Sequence, residues 1–189
     1  VIGNPPFIQL SSYSQTTEDE KTYLLGKYKS SMGRLNTFGF FTKKGIDLLK
    51  DERWLGFILP NTLISQDYYE GLRDMILKSC KIDTIVNFEK LPFKDAVVEN
   101  IILILQKNKS YNERTNTRTS IITVDEYKSF NELKTVKQSS FEESPKHSFN
   151  VNIKHSDKEL IGRLTSENER LGSFLEVNQA IALKSDRSL

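Results

Sequence analysis

Val1-Ile2-Gly3-Asn4-Pro5-Pro6-Phe7 decides the fold. The first three residues read as the end of a buried strand. The prolines that follow cannot continue a ladder, because each lacks an amide donor and holds φ near about −65°. A strand halted on Asn-Pro-Pro leaves acceptors at its tip, namely the Asn4 side-chain oxygen and the Pro5 carbonyl. An exocyclic amino group presents two hydrogens to such a pair. Accepting both lets the nitrogen lone pair leave conjugation with its ring and face an electrophile. Phe7 adds an aromatic face on which a planar base can stack. The pattern selects a planar amine and raises its nucleophilicity by hydrogen bonding and positioning. It needs no strong general base if alkylation runs ahead of proton loss.

Outward from this tip, residues 8–35 are polar and show no clean period, as in a long functional loop. Asn36 or Thr37 caps a helix to about Lys50, with Phe38, Phe41, Leu48 and Leu49 on one face. Leu55 to Leu59 reads as a buried strand. Ser65 or Asp67 starts a second helix whose face carries Tyr68, Leu72, Met75 and Ile76. Ile82 to Phe88 and Ile101 to Leu105 are strands, joined by the turn-forming stretch from Glu89 to Asn100. No helix separates these two, so the later one is expected to be antiparallel. The alternation predicts an α/β fold, four strands counting the stub, with helices on both faces. Ser120 to Val124 is a candidate further strand and Asp125 to Lys134 a short helix. Residues 138–152 read as a linker, and Ser156 or Asp157 caps a helix to about Leu164. Leu171 begins a new segment.

Composition narrows the class. Of 189 residues, 37% are hydrophobic and 28% charged, the profile of a globular domain rather than a disordered chain. The formal net charge is only +2, which does not imply a general nucleic-acid coat but permits a local basic face. Lys107, Lys109, Arg114 and Arg118 form such a candidate, as DNA phosphate contacts, with Glu113 alone opposing. Lys21, Lys27, Lys29 and Arg34 share their loop with Glu18, Asp19 and Glu20, which favours a solvated surface. The single cysteine, Cys80, excludes an internal disulfide and a cysteine-cluster zinc site and fits a reducing cytoplasm. His147 and His155 stand without partners at metal spacing, so no metal is expected. No apolar run approaches a membrane span, and the opening Val-Ile-Gly-Asn-Pro-Pro-Phe has neither the basic segment nor the long apolar stretch of a signal peptide. A chain opening on a strand end without Met is expected to continue upstream in the natural protein.

Asn-Pro-Pro-Phe at a strand end, then a long loop and helix–strand–helix, resembles the catalytic motif of amino-group methyltransferases that use S-adenosylmethionine. The downstream order is similar to the gamma class of N6-adenine DNA methyltransferases, in particular the TaqI-like and type IIG restriction–modification enzymes. Leu55-Gly56-Phe57-Ile58-Leu59-Pro60-Asn61 resembles that family's fifth strand and the turn after it. Phe93, in Leu91-Pro92-Phe93-Lys94-Asp95-Ala96-Val97-Val98, falls where the family keeps an aromatic that sandwiches the extruded adenine. Leu171-Gly172 and Val177-Asn178-Gln179-Ala180-Ile181 resemble the start of a target-recognition domain, with Ala180 where many relatives have Gly.

The resemblance implies the C-terminal half of a Rossmann-like methyltransferase sheet over residues 1–137, with an antiparallel last strand. A linker with a short helix follows over 138–170, and the start of a TaqI-like recognition domain over 171–189. It implies Asn4, Pro5, Pro6 and Phe7 as catalytic residues, Phe7 and Phe93 as base-stacking residues, and double-stranded DNA as partner of a monomeric protein. The adenine would be flipped from the duplex, with stacking returning roughly 1–3 kcal/mol per base. The implied cofactor is S-adenosylmethionine. The family's Gly-rich donor loop and ribose-binding acid are not found in these 189 residues, so the chain alone is expected to bind the donor weakly and to be inactive. RNA or protein-glutamine methylation, or a non-catalytic DNA-binding remnant, are the alternatives. The extension of more than 80 residues after Lys107 favours DNA.

Overall fold

The computed structural model describes residues 1–10, 17–28, 36–88, 99–124, 129–149 and 151, and beyond them 160, 162–164, 169 and 173–175. The chain divides into two units, Val1–Val151 and Asn152–Leu189. The elements of the first unit are β1 (Ile2–Gly3), α1 (Glu18–Lys27), α2 (Thr37–Leu48), β2 (Trp54–Pro60), α3 (Glu70–Ser79), β3 (Cys80–Phe88), β4 (Asn100–Lys107), α4 (Tyr111–Asn116), β5 (Arg118–Val124), β6 (Phe130–Lys137) and α5 (Ser139–Glu142). Short 3-10 turns at Asn61–Leu63 and Asp67–Tyr69 join β2 to α3.

Ile101 to Leu105 is apolar at every position, and it lies inside the sheet. The described strands form one six-stranded sheet in the order β1-β2-β4-β3-β5-β6. β4 is antiparallel to both neighbours, as the short connection required. β1 pairs parallel with β2, and β3 parallel with β5, so these four strands all run one way. Leu55, Phe57 and Leu59 stand in register with Leu105, Leu103 and Ile101. Ile85 continues that row between Leu103 and Ile121. These residues form one buried cluster with Phe38 and Ile46 of α2 and Leu72 and Ile76 of α3. On the opposite face Gly56, Ile58, Ile102, Ile104 and Ile122 are half-buried, while Val86 and Val124 near the ends of β3 and β5 are buried.

Several elements differ locally from expectation. The polar loop of residues 8–35 contains α1, which buries no side chain and so leaves no apolar period to read. Its signal is a capping box: the Thr17 hydroxyl accepts from the Glu20 amide, and the Glu20 carboxylate accepts from the Thr17 amide. In α2 the buried stripe runs through Phe38, Thr42, Gly45, Ile46 and Leu49, whereas Phe41 and Leu48 are 50% and 69% exposed. Gly45 belongs there because a Cβ would come within 3.1 Å of Leu55 Cδ1. Position on the helix, not hydrophobicity, selects the face. The stretch expected as a helix from Asp125 to Lys134 contributes instead to β6, antiparallel to β5. The open edge of β5 outweighs local preference.

The largest difference concerns residues 138–151, read as a linker. Gln138, Phe141 and Phe149 are fully buried and Val151 nearly so. The Phe141 and Phe149 rings lie 5.2 Å apart. β3 shifts register between Ile82 and Thr84, which leaves backbone groups in need of partners. The Gln138 side chain accepts from the Ile82 amide (2.8 Å) and donates to the Cys80 carbonyl (3.0 Å), while the Thr119 hydroxyl donates to the Ile82 carbonyl (2.7 Å). Arg73, also fully buried, donates to the carbonyls of Leu63 (2.9 Å), Gln66 (2.8 Å) and Lys146 (2.7 and 3.1 Å). This ties the β2–α3 connection to the segment after α5. In the second unit Leu160 and Gly162–Leu164 are helical, and Ser156, Asp157 and most of 171–189 lie outside the described residues.

Core membership of residues 138–151 has a measurable consequence. Phe149→Ala is expected to cost about 3–5 kcal/mol, as for a buried aromatic, instead of the near-zero effect of a linker residue. Arg73→Met is expected to cost about 3 kcal/mol, because the carbonyls of Leu63, Gln66 and Lys146 lose their donor, the first of them in a buried bond. Urea denaturation of each variant, followed by far-ultraviolet circular dichroism, checks both values.

Candidate active site

β1, β2, β3 and β5 all end at one rim of the sheet, the usual place for a ligand in an α/β fold. Asn4-Pro5-Pro6-Phe7 leaves β1 at that rim. A Cβ on Gly3 would stand 3.0 Å from the Phe57 ring, so only glycine lets β1 sit this close to the core. Pro5 is buried, Asn4 and Pro6 are exposed, and Phe7 is half-buried. The Asn4 amide thus faces outward from a backbone pinned beneath it.

Two successive residues of α2 hold the tip. The Thr37 hydroxyl donates to the Pro6 carbonyl (2.5 Å) and accepts from the Ile8 amide (3.0 Å). The Thr37 amide donates to the Ile8 carbonyl (3.0 Å), and Gln9 forms an antiparallel bridge with Asn36. The Phe7 ring meets Phe38 edge-on, with centroids 6.2 Å apart and planes at 84°. Phe38 in turn stacks edge-on against Tyr69 at 5.0 Å. The Asn36-Thr37 pair was legible as a helix start, but nothing local in the sequence shows that its hydroxyl turns to residues 6 and 8.

The rest of the rim is polar. After β2, Asn61 donates from its amide nitrogen to the Glu99 carboxylate (3.0 Å) and from its backbone to the Glu99 carbonyl (2.8 Å). Asn87 at the end of β3, Asn100 at the start of β4 and Thr123 near the end of β5 each carry a buried oxygen without a hydrogen-bond partner among the described residues. Asn87 and Thr123 stand in register. Phe93 lies outside the described residues, but the flanking Phe88 and Glu99 both stand at this rim.

The four cations proposed for phosphates lie at the opposite end, where β4 finishes and β5 begins. Two of them are engaged inside the protein. Lys107 Nζ donates to the carbonyls of Ile46 (2.9 Å) and Leu49 (2.7 Å), at the carboxyl end of α2. Arg114, only 7% exposed, donates to the carbonyls of Leu77 (3.0 Å) and Asn108 (2.9 Å), closing the end of α3. Each cation reaches carbonyls at the carboxyl end of a helix, Ile46 and Leu49 for α2 and Leu77 for α3, where the dipole favours positive charge. Lys109 is exposed and pairs with Asp51 at 2.6 Å, and Arg118 is exposed. Glu113 opposes them less than its position suggested. Its carboxylate binds Lys81 (2.6 Å) and Asn108 (3.0 Å), which hold its pKa below the ordinary value.

Other reactive groups are accounted for. Cys80 is fully buried, and loss of solvent pushes its thiol up to about 12 despite the nearby charges of Lys107 and Arg114. His147 is held by the Glu142 carbonyl at 3.1 Å and faces Asp74 at 3.6 Å. Among the described residues no three or more His, Cys, Asp or Glu gather as a metal site, and no helix is long and apolar enough to cross a membrane.

Comparison with known proteins points to one group. Residues 1–93, from the strand stub through Phe93, match the family described as Eco57I restriction-modification methylase. The chain is 24% identical over 178 residues to the type II restriction enzyme and methyltransferase RM.Eco57I of Escherichia coli, covering 93% of this chain and 17% of that protein. In fold it is similar to the type IIG restriction endonuclease BpuSI, with a TM-score of 0.55 at 11% identity over 91% of this chain and 22% of that one. It is also similar to the DrdV-DNA complex, with a TM-score of 0.52 at 12% identity over 82% of this chain and 18% of that one. The chain thus spans less than a quarter of each of these proteins.

The burial of Cys80 predicts a reactivity. A thiol that ionises only near about 12 is protonated at pH 8 and inaccessible, so alkylation by iodoacetamide should proceed only through unfolding. Mass spectrometry should find Cys80 unmodified in native protein and fully modified in urea. Because the folded thiol pKa is raised, stability is retained below the unfolded value near 9.0 and falls as pH rises from there toward about 12.

Proposed function

We propose that this chain carries the amine-activating part of a restriction–modification methyltransferase that acts on the N6 amine of adenine in double-stranded DNA. One observation carries the reading. Asn4-Pro5-Pro6-Phe7 sits at the carboxyl rim of a parallel strand, with the Asn4 amide exposed and Phe7 supported by a buried aromatic row. The similarity of residues 1–93 to restriction-modification methylases supports the same chemistry.

In this reading the Asn4 side-chain oxygen and the Pro5 carbonyl accept the two amine hydrogens. Their pull localises the nitrogen lone pair and directs it away from the base plane. Phe7, and Phe93 from the stretch between β3 and β4, stack on the two faces of the extruded adenine. Asn4, Pro5 and Phe7 carry no titratable group, so the tip acts by holding and orienting the amine and not by removing its proton. S-adenosylmethionine supplies the methyl group when bound. The described residues do not fit that donor. They offer acceptors aimed at an amine, and among them no Gly-rich turn follows a parallel strand to cradle a nucleoside. The target adenine reaches the tip only by leaving the helix, at a cost of a few kcal/mol.

The test uses the complete natural protein. Asn4→Ala should lower single-turnover methyl transfer to duplex DNA by about 100-fold or more, the scale of losing an oriented hydrogen-bond acceptor, with DNA affinity retained. Phe93→Ala should lower both turnover and the fluorescence of 2-aminopurine at the target position, while donor binding by titration calorimetry stays unchanged. Methylation of RNA or of glutamine, with duplex DNA left untouched, would sink the proposal.

The cations separate structure from DNA contact. Lys107→Met and Arg114→Met should each cost about 1–3 kcal/mol of stability through lost charged hydrogen bonds. Neither should change the salt dependence of DNA binding. We propose Lys109 and Arg118 as the remaining phosphate contacts. Neutralising each should reduce the slope of log affinity against log salt by about 0.9.

A further inference from the structure

We propose that Thr37 is a positioning residue for the Asn4-Pro5-Pro6-Phe7 tip, an inference that rests on the reading of that tip as the amine site. Pro5 and Pro6 have no amide hydrogen, so the tip can be anchored only through carbonyls and through the amides that follow. The Thr37 hydroxyl takes both opportunities. It donates to the Pro6 carbonyl (2.5 Å) and accepts from the Ile8 amide (3.0 Å), bridging the backbone on either side of Phe7. The Thr37 amide adds a third bond, to the Ile8 carbonyl (3.0 Å). The next residue, Phe38, meets the Phe7 ring edge-on at 6.2 Å and is itself fully buried.

Capping does not explain the hydroxyl. α2 already has its N-cap in Asn36, whose side chain accepts from the Phe38 amide (3.3 Å). The hydroxyl is oriented toward the loop, not toward its own helix. Consecutive residues of one helix therefore hold the backbone and the ring of Phe7. Since Phe7 follows Pro5 and Pro6 directly, the same clamp sets where the Pro5 carbonyl and the Asn4 amide stand. Thr37 touches no reacting atom in this account. It acts through the geometry of the acceptors.

The experiment compares Thr37→Val, Thr37→Ser and Asn4→Ala in the complete natural protein. Val matches the shape but removes the hydroxyl, and Ser restores it. Thr37→Val should slow single-turnover methyl transfer about 10- to 100-fold, the scale expected when reacting groups are displaced by a fraction of an ångström to one ångström. Equilibrium affinities for duplex DNA and for S-adenosylmethionine should stay within about twofold, and Thr37→Ser should recover the rate to within about threefold. Hydrogen exchange at the Ile8 amide, which reads the clamp without any methyl transfer, should speed up about fivefold in Val and not in Ser. A wild-type rate in Val beside a dead Asn4→Ala would overturn the role of Thr37 alone. So would a Ser variant as slow as Val. A wild-type rate in Asn4→Ala would overturn the amine site itself, and the proposal for Thr37 with it.

Discussion

Asn100–Lys107 gives its backbone to two neighbours at once, β2 on one side and β3 on the other, and runs against both. That pairing forces β2 and β3 to point the same way. β1 follows β2 and β5 follows β3, so four strands end at one rim. The arrangement needs a strand that is apolar on both faces and free of proline, and Ile101 to Leu105 is such a strand. Were β4 paired on one side only, Asn4-Pro5-Pro6-Phe7 and the end of β3 would share no sheet.

The sheet also separates two kinds of surface. At the rim stand Asn4, Asn61, Asn87, Asn100 and Thr123, uncharged groups that accept or donate, with the Glu99 carboxylate held by Asn61. At the other end, Lys107 and Arg114 sit on the carbonyls that close α2 and α3. A cation spent on helix carbonyls is not free to meet a phosphate. The distinction follows from where each strand begins and ends, since β4 runs opposite to β5 and brings Lys107 and Arg118 to the same side.

Distant chain completes local structure throughout the first unit. The register shift in β3 is tolerable because Gln138 supplies both an acceptor for Ile82 and a donor for Cys80. The β2–α3 turn is held by Arg73, whose guanidinium also reaches the Lys146 carbonyl. A buried guanidinium is stable there because each donor finds a carbonyl, and loss of solvent, opposed by Glu70 and Asp67, holds its pKa below the ordinary arginine value. These polar pairs tie Gln138 and Lys146, and with them the segment after β6, into the core of the first unit.

What the sequence determined by itself lies in covalent and periodic features. Proline has no amide hydrogen wherever it sits, so Asn4-Pro5-Pro6 had to be a strand end bearing acceptors. Continuous apolar runs had to be strands with two faces, and a short connection between two of them had to make an antiparallel pair. The tertiary structure alone decided what depends on partners far along the chain. Thr37 and Pro6 are 31 residues apart, Gln138 and Ile82 56, Lys107 and Leu49 58, and Arg73 and Lys146 73. A polar side chain carries no mark of whether it will meet water, a ligand or a carbonyl brought from that distance. Hence four cations looked alike in sequence, a linker-like stretch proved to be core, and a helix-start threonine proved to hold the backbone on either side of Phe7.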